Sequence, residues 1–183
     1  MCITRRDDVN PDKSDEDGQT PLMLAAYNGH KAVVRMLLGR DDVDSNKSNR
    51  DGQTPLWLAA QRGHKEVVKI LLRRDDVNPN QPDKTGTTPL GRAASEGHDL
   101  VVEMLLGRND VNPNNSDERG QTPLFWTAHR GYEGIVEMLL GRDDVDPNKS
   151  DRDGQTPLML AAYNGHKGVA RMLLGRDDVD PTK

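Results

Sequence analysis

With 33% hydrophobic, 3% aromatic and 30% charged residues, this 183-residue chain is too poor in apolar side chains for one large conventional core. A formal net charge of −5 disfavours a non-specific nucleic-acid binder, which needs a basic footprint. The single cysteine, Cys2, excludes an intrachain disulfide framework and fits an intracellular, cytoplasmic setting, and the sequence reads without a membrane span or secretory signal.

The apolar residues recur at fixed places. Thr-Pro-Leu begins at Thr20, Thr54, Thr88, Thr122 and Thr156, a spacing of 34 residues each time. A strict period in this range marks a stacked array in which each unit contacts its neighbours and five units share a core that one cannot make. The expected organisation is a single domain over 1–183. It comprises a partial unit at 1–14 and full units at 15–48, 49–82, 83–116, 117–150 and 151–183.

Each unit repeats one plan, clearest at 151–183. Gly154 supplies a tight turn. Thr156 is an N-cap and Pro157 suits the first helical position. Leu158 to Asn164 is predicted as a short helix that Gly165 stops. A second helix runs from about His166 to Leu174, its apolar stripe formed by Val169, Met172 and Leu173. Gly175 ends it, and an extended loop follows in which Pro181 excludes helix. The short link makes the two helices antiparallel, and the Ala-Ala pair of the first helix allows close stacking. The fold class is therefore all-α: a solenoid of helix-turn-helix units with short extended loops between them. The incoming segment Cys2 to Pro11 aligns with the end of such a unit, and the last unit nearly copies the first. A segment of a longer array, or an engineered repeat protein, is expected.

Gly18-Gln19-Thr20-Pro21-Leu22-Met23-Leu24-Ala25-Ala26-Tyr27-Asn28-Gly29-His30 resembles the ankyrin repeat pattern, with Met23 in place of its histidine. The resemblance spans nearly the whole chain in five copies. Two departures recur: a period of 34 residues, and Arg-Asp-Asp-Val-Asn/Asp-Pro in the loop. This variant is similar to the long ankyrin arrays of some fungal signalling proteins. The resemblance implies a concave groove lined by first helices and turn tips, a protein or peptide partner, and no catalysis.

The units differ where that groove is expected. In chain order, the first carries Met23 and Tyr27, the second Trp57, Gln61 and Arg62. The third breaks pattern with Gly91 and Arg92. The fourth carries Phe125, Trp126, His129 and Arg130, and the fifth Tyr163. These twelve residues are the candidate partner-binding set. Aromatic residues and arginine dominate binding hot spots, yet Trp57 and Phe125 can equally serve to seal the seams between units. Gly91 is expected to leave a notch between Trp57 and Phe125, rimmed by Arg62 and Arg130, suited to a peptide with an acidic and an apolar group. Arg92 is expected to lie on Trp126.

His30, His64, His98 and His166 occupy one repeated position, with Tyr132 in the fourth copy. Stacked roughly 10 Å apart, they cannot jointly reach a metal at about 2 Å, and a hydrogen bond to nearby backbone is expected. The turn Asp151-Arg152-Asp153-Gly154 has Lys149 and Leu160 where a calcium loop needs oxygen ligands. No cofactor is expected, and no motif for phosphate, nucleophile or zinc chemistry is present. Three glycosylation sequons begin at Asn46, Asn114 and Asn148 and are expected to be unused. A monomeric binding scaffold is the leading reading. The alternatives are end-to-end self-association, a structural spacer, or an engineered scaffold with no native ligand.

Overall fold

The computed structural model describes residues 9–180. The expectations placed on Cys2, the start of the incoming unit and Pro181 lie outside them. The described residues form five helix pairs: α1 (Pro21–Tyr27) with α2 (Lys31–Leu38), α3 (Pro55–Gln61) with α4 (Lys65–Leu71), α5 (Pro89–Glu96) with α6 (Asp99–Leu106), α7 (Pro123–Arg130) with α8 (Glu133–Leu140), and α9 (Pro157–Tyr163) with α10 (Lys167–Leu174). The pairs are called repeats one to five. The all-α class expected from the period is what the chain adopts.

Each first helix begins as its sequence dictates. Thr54 is extended, at φ −89° and ψ 167°, and its hydroxyl accepts the Trp57 amide at 3.2 Å. One orphan donor is thereby satisfied, and Pro55 at N1 has no amide to satisfy. The other four repeats start the same way. In repeat five the helix starts at Pro157, one residue earlier than predicted, and Asn164 caps it. The glycine after each first helix has a positive φ, +72° at Gly29 and +74° at Gly131, which turns the chain directly into the second helix.

First helices pack in one row and second helices in another, each against the next of its kind. Leu22, Leu56, Leu90 and Leu124 are buried in one row, and Val34, Val68, Val102 and Val136 in the other. One hydrophobic cluster runs through all five repeats, so modest apolar content suffices because every inner repeat buries two faces.

Polar ladders run beside this core. At the turn tips, the amides of Arg50, Lys84, Glu118 and Arg152 donate to the carbonyls of Asp17, Asp51, Thr85 and Arg119 in the preceding repeat. In the loops, Asn80 accepts the Asn112 amide at 2.9 Å and donates to the Asp110 carbonyl at 2.6 Å. Asn46, Asn114 and Asn148 bridge in the same way, so the three sequon asparagines spend their amides on stacking. No helix among the described residues is long and apolar enough to cross a membrane.

Candidate partner-binding surface

The stack fixes which side chains remain available. His64 Nε2 lies 2.9 Å from the Tyr27 carbonyl, His98 Nε2 3.0 Å from that of Gln61, and His166 Nε2 3.0 Å from that of His129. A carbonyl only accepts, so Nε2 carries the proton in each case. The expected backbone partner is thus found for His64, His98 and His166, and it lies in the preceding repeat. Each histidine ring also sits on the inter-helix glycine of that repeat.

The loop arginines form a second set of ties. Arg74, Arg108, Arg142 and Arg176 donate from Nη1 to the carbonyls of Leu38, Leu72, Leu106 and Leu140, at 2.9, 3.0, 3.0 and 2.6 Å. These carbonyls end the second helix of the preceding repeat, where orphan acceptors and a negative dipole end favour a cation. Each guanidinium is held by an aspartate two residues on, as Arg74 by Asp76 at 2.8 Å. The Arg74 guanidinium, aided by the Ser45 hydroxyl, brings Asp76 down to about 2. Arg40, Arg108, Arg142 and Arg176 likewise hold Asp42, Asp110, Asp144 and Asp178 below the usual carboxylate range. The sequence marks this loop as a departure from the family pattern but does not by itself reveal its purpose. The available signal was the strict pairing of arginine with an aspartate two residues later.

The candidate residues divide into two groups. Met23, Trp57 and Phe125 are 0%, 2% and 3% exposed, and Gly91 is buried as well. Trp57 packs with Met23 and Leu58, and its indole N–H donates to the Thr87 carbonyl of the next repeat at 2.9 Å. These side chains seal seams, and the expected open notch flanked by Trp57 and Phe125 is corrected accordingly. Arg92 is corrected too. Its guanidinium lies 5.4 Å from the centre of the Trp57 ring and 3.1 Å from Glu96, on the opposite seam from Trp126. The side chain reaches back to the preceding repeat, as the histidines and loop arginines do, and the i,i+4 pairing with Glu96 holds it there.

The second group stays at the surface. Tyr27 is half-exposed under the Arg62 guanidinium, 4.9 Å from its ring centre. Gln61 is half-buried, and His129, Arg130 and Tyr163 are exposed. Half-buried Trp126 meets Phe125 edge-on at 5.8 Å and His129 at 6.2 Å. Phe125, Trp126, His129 and Tyr163 come together with Gln121, Gln155 and Leu160 around a cavity of about 310 Å³. Trp126 and Gln121 also border a neighbouring cavity of about 320 Å³, with Thr85, Asp117, Glu118 and Arg119. Among the described residues no group of three or more histidines, cysteines or carboxylates could hold a metal ion.

Short antiparallel helix pairs joined by glycine and stacked in constant register define a helical repeat solenoid. The ankyrin repeat model matches residues 17–50, and the model of three consecutive ankyrin repeats matches residues 40–117 and 90–183. The chain belongs to the ankyrin repeat family, whose repeats are generally protein-interaction modules. No catalytic domain is identified in it. A comparison with curated protein sequences found no match.

Proposed function

We propose that this chain is a non-catalytic scaffold that holds a protein or peptide partner on a concave surface of first helices and turn tips. The observation that carries this reading is Trp126, half-buried between two cavities on that surface with Tyr163 and His129 beside it. A large aromatic side chain left partly open on a rigid frame is the kind of group that dominates interfaces. The binding residues are then Tyr27, Gln61, Arg62, Trp126, His129, Arg130 and Tyr163, while Met23, Trp57, Gly91, Arg92 and Phe125 support them from the seams. The setting we infer is intracellular, from the lone cysteine and the resemblance to intracellular arrays.

The test compares partners recovered by the intact chain with those recovered by two variants. One carries Trp126→Leu, Arg130→Ala and Tyr163→Ala, and the other carries Glu103→Ala and Glu137→Ala on second helices. Partners lost only with the first variant support the reading. Partners lost only with the second place the interface elsewhere.

One feature favours a second reading, association with a second copy. Repeat five exposes Leu174 at 58% and Met159 at 44%, and Leu174 borders an apolar cavity of about 520 Å³ with Lys167, Ala170, Arg171 and Gly175. A monomer remains the leading state. Light scattering at rising concentration separates the two, because only self-association makes the mass climb above 20.3 kDa.

A further inference from the structure

We propose that the seam between repeats four and five receives an arginine side chain of the partner, its guanidinium stacked on Trp126 and donating to Gln121. The inference rests on the concave-surface reading above and specifies the partner's chemistry.

Three observations converge. First, the molecule fills two of its own aromatic sites this way, with Arg62 over Tyr27 and Arg92 over Trp57. A planar, weakly hydrated guanidinium on an aromatic face is favourable, more so when partly desolvated. Among the described residues no guanidinium is seated on Trp126, which stands in the column of Arg92 itself, one position past that of Trp57. Repeat four thus offers a half-buried aromatic ring without a guanidinium of its own chain on it.

Second, an acceptor waits beside that ring. Gln121 borders both cavities, and its side-chain oxygen is buried without a hydrogen-bond partner. The cause is one residue. In repeat two Asn49 donates to the same oxygen of Gln53 at 3.0 Å. In repeat four the equivalent residue is Asp117, whose carboxylate has no proton to give and instead accepts from the Arg119 and Gln121 amides at 2.9 Å. A buried acceptor left unpaired is costly, so a small turn of the Gln121 amide toward an incoming N–H is favoured. Gln19 has the same unpaired oxygen behind Asp15, but no open tryptophan accompanies it.

Third, the charge suits a cation. Asp117 and Glu118 line the adjoining cavity against one opposing charge, Arg119. Arginine is preferred to lysine because only its planar fork can stack on the indole and donate sideways at once.

Random peptides of about twelve residues, displayed on phage, would be selected on the intact chain, and enriched sequences synthesised with arginine, citrulline or lysine at the enriched position. An arginine at one fixed position is expected. Its replacement by citrulline should weaken binding about tenfold or more, consistent with a partly desolvated cation–π contact. Trp126→Leu and Gln121→Leu should each do the same to the arginine peptide. Leucine is what α3 and α9 carry at the Trp126 position, so the first variant retains a residue the frame accepts, and circular dichroism verifies its folding. In heteronuclear spectra the Trp126 indole signal should move on titration while that of buried Trp57 stays. Equal binding of the citrulline peptide overturns the proposal. Peptides that need Trp126 but carry no arginine remove this inference and leave the concave-surface reading standing. Selection that enriches no peptide overturns both.

Discussion

Gly131→Ala and Gly165→Ala are the same change in the same backbone conformation, with φ +74° at both. What differs is the neighbour. A methyl group on Gly131 would lie 2.5 Å from His166 Nδ1 and 2.7 Å from Cε1, whereas one on Gly165 meets nothing within 4 Å. The left-handed backbone costs alanine about 1–2 kcal/mol at either site. At Gly131 the imidazole must also move, and it is tied by Nε2 to the His129 carbonyl at 3.0 Å. Overpacking of this kind costs roughly 1–3 kcal/mol, so Gly131→Ala should lose about 2–5 kcal/mol in total. Urea denaturation gives the global values, and hydrogen exchange at Ala161 and Ala162 reports the end repeat, which opens most easily. His166→Ala added to Gly131→Ala should restore part of the loss, since the clash disappears with the ring. Equal losses at the two glycines, or no recovery in the double variant, would show that the histidine column does not set the approach of neighbouring repeats.

Gly91→Ala should stabilise the chain by up to about 1 kcal/mol, because the added methyl meets only Thr88 Oγ1 at 3.5 Å and Thr87 Cγ2 at 3.6 Å and helical glycine carries an entropic cost; a raised denaturation midpoint checks it. Asn80→Asp keeps the acceptor for Asn112 but loses the donor to Asp110, and it should cost about 1–3 kcal/mol, read by equilibrium unfolding against the milder Asn80→Ala. Asp76 is held at about 2 by Arg74, below its unfolded value of about 3.9. Its contribution is present above that value and fades as pH falls through the interval toward 2. Arg74→Gln should therefore flatten the acid limb of the stability profile there, while an unchanged limb would show that the pair is fully screened.

The fold was legible because its determinants are local and repeated five times. Thr54, Pro55 and Gly63 mean the same thing at every copy, and the apolar stripe of each second helix points to one core. The binding surface was less legible because burial in a seam depends on the neighbouring repeat. Met23 and Met159 follow identical Thr-Pro-Leu triplets, yet one is 0% and the other 44% exposed, since α3 packs against α1 from the following repeat, while among the described residues no following first helix packs against α9. The direction of Arg92 was misjudged for the same reason. Its sequence shows that a cation must leave the core, but not toward which neighbour. The orphan oxygen of Gln121 was readable in principle, from aspartate standing at 117 where repeat two has Asn49, but only once the Asn49–Gln53 bond was known.

Two sets of ties between repeats share one polarity, and it bears on function. The histidine and loop-arginine side chains donate backward, and they donate to carbonyls, so the receiving residue contributes only main chain. Tyr27, Gln61 and His129 are such receivers: their carbonyls anchor the next repeat while their side chains turn to the surface or half-way to it. Side-chain identity at Gln61 and His129 is therefore uncoupled from these ties, whereas the Tyr27 ring also meets Arg62 of the next repeat. Gln61→Ala and His129→Ala should change stability by no more than about 0.5 kcal/mol, as for surface sites away from special features, whereas His98→Ala and His166→Ala, which remove the donors to those same carbonyls, should cost about 1 kcal/mol or more. Denaturation of the four variants compares them directly. If the receivers proved as costly as the donors, the surface side chains would belong to the frame, and variation among them could not encode a partner.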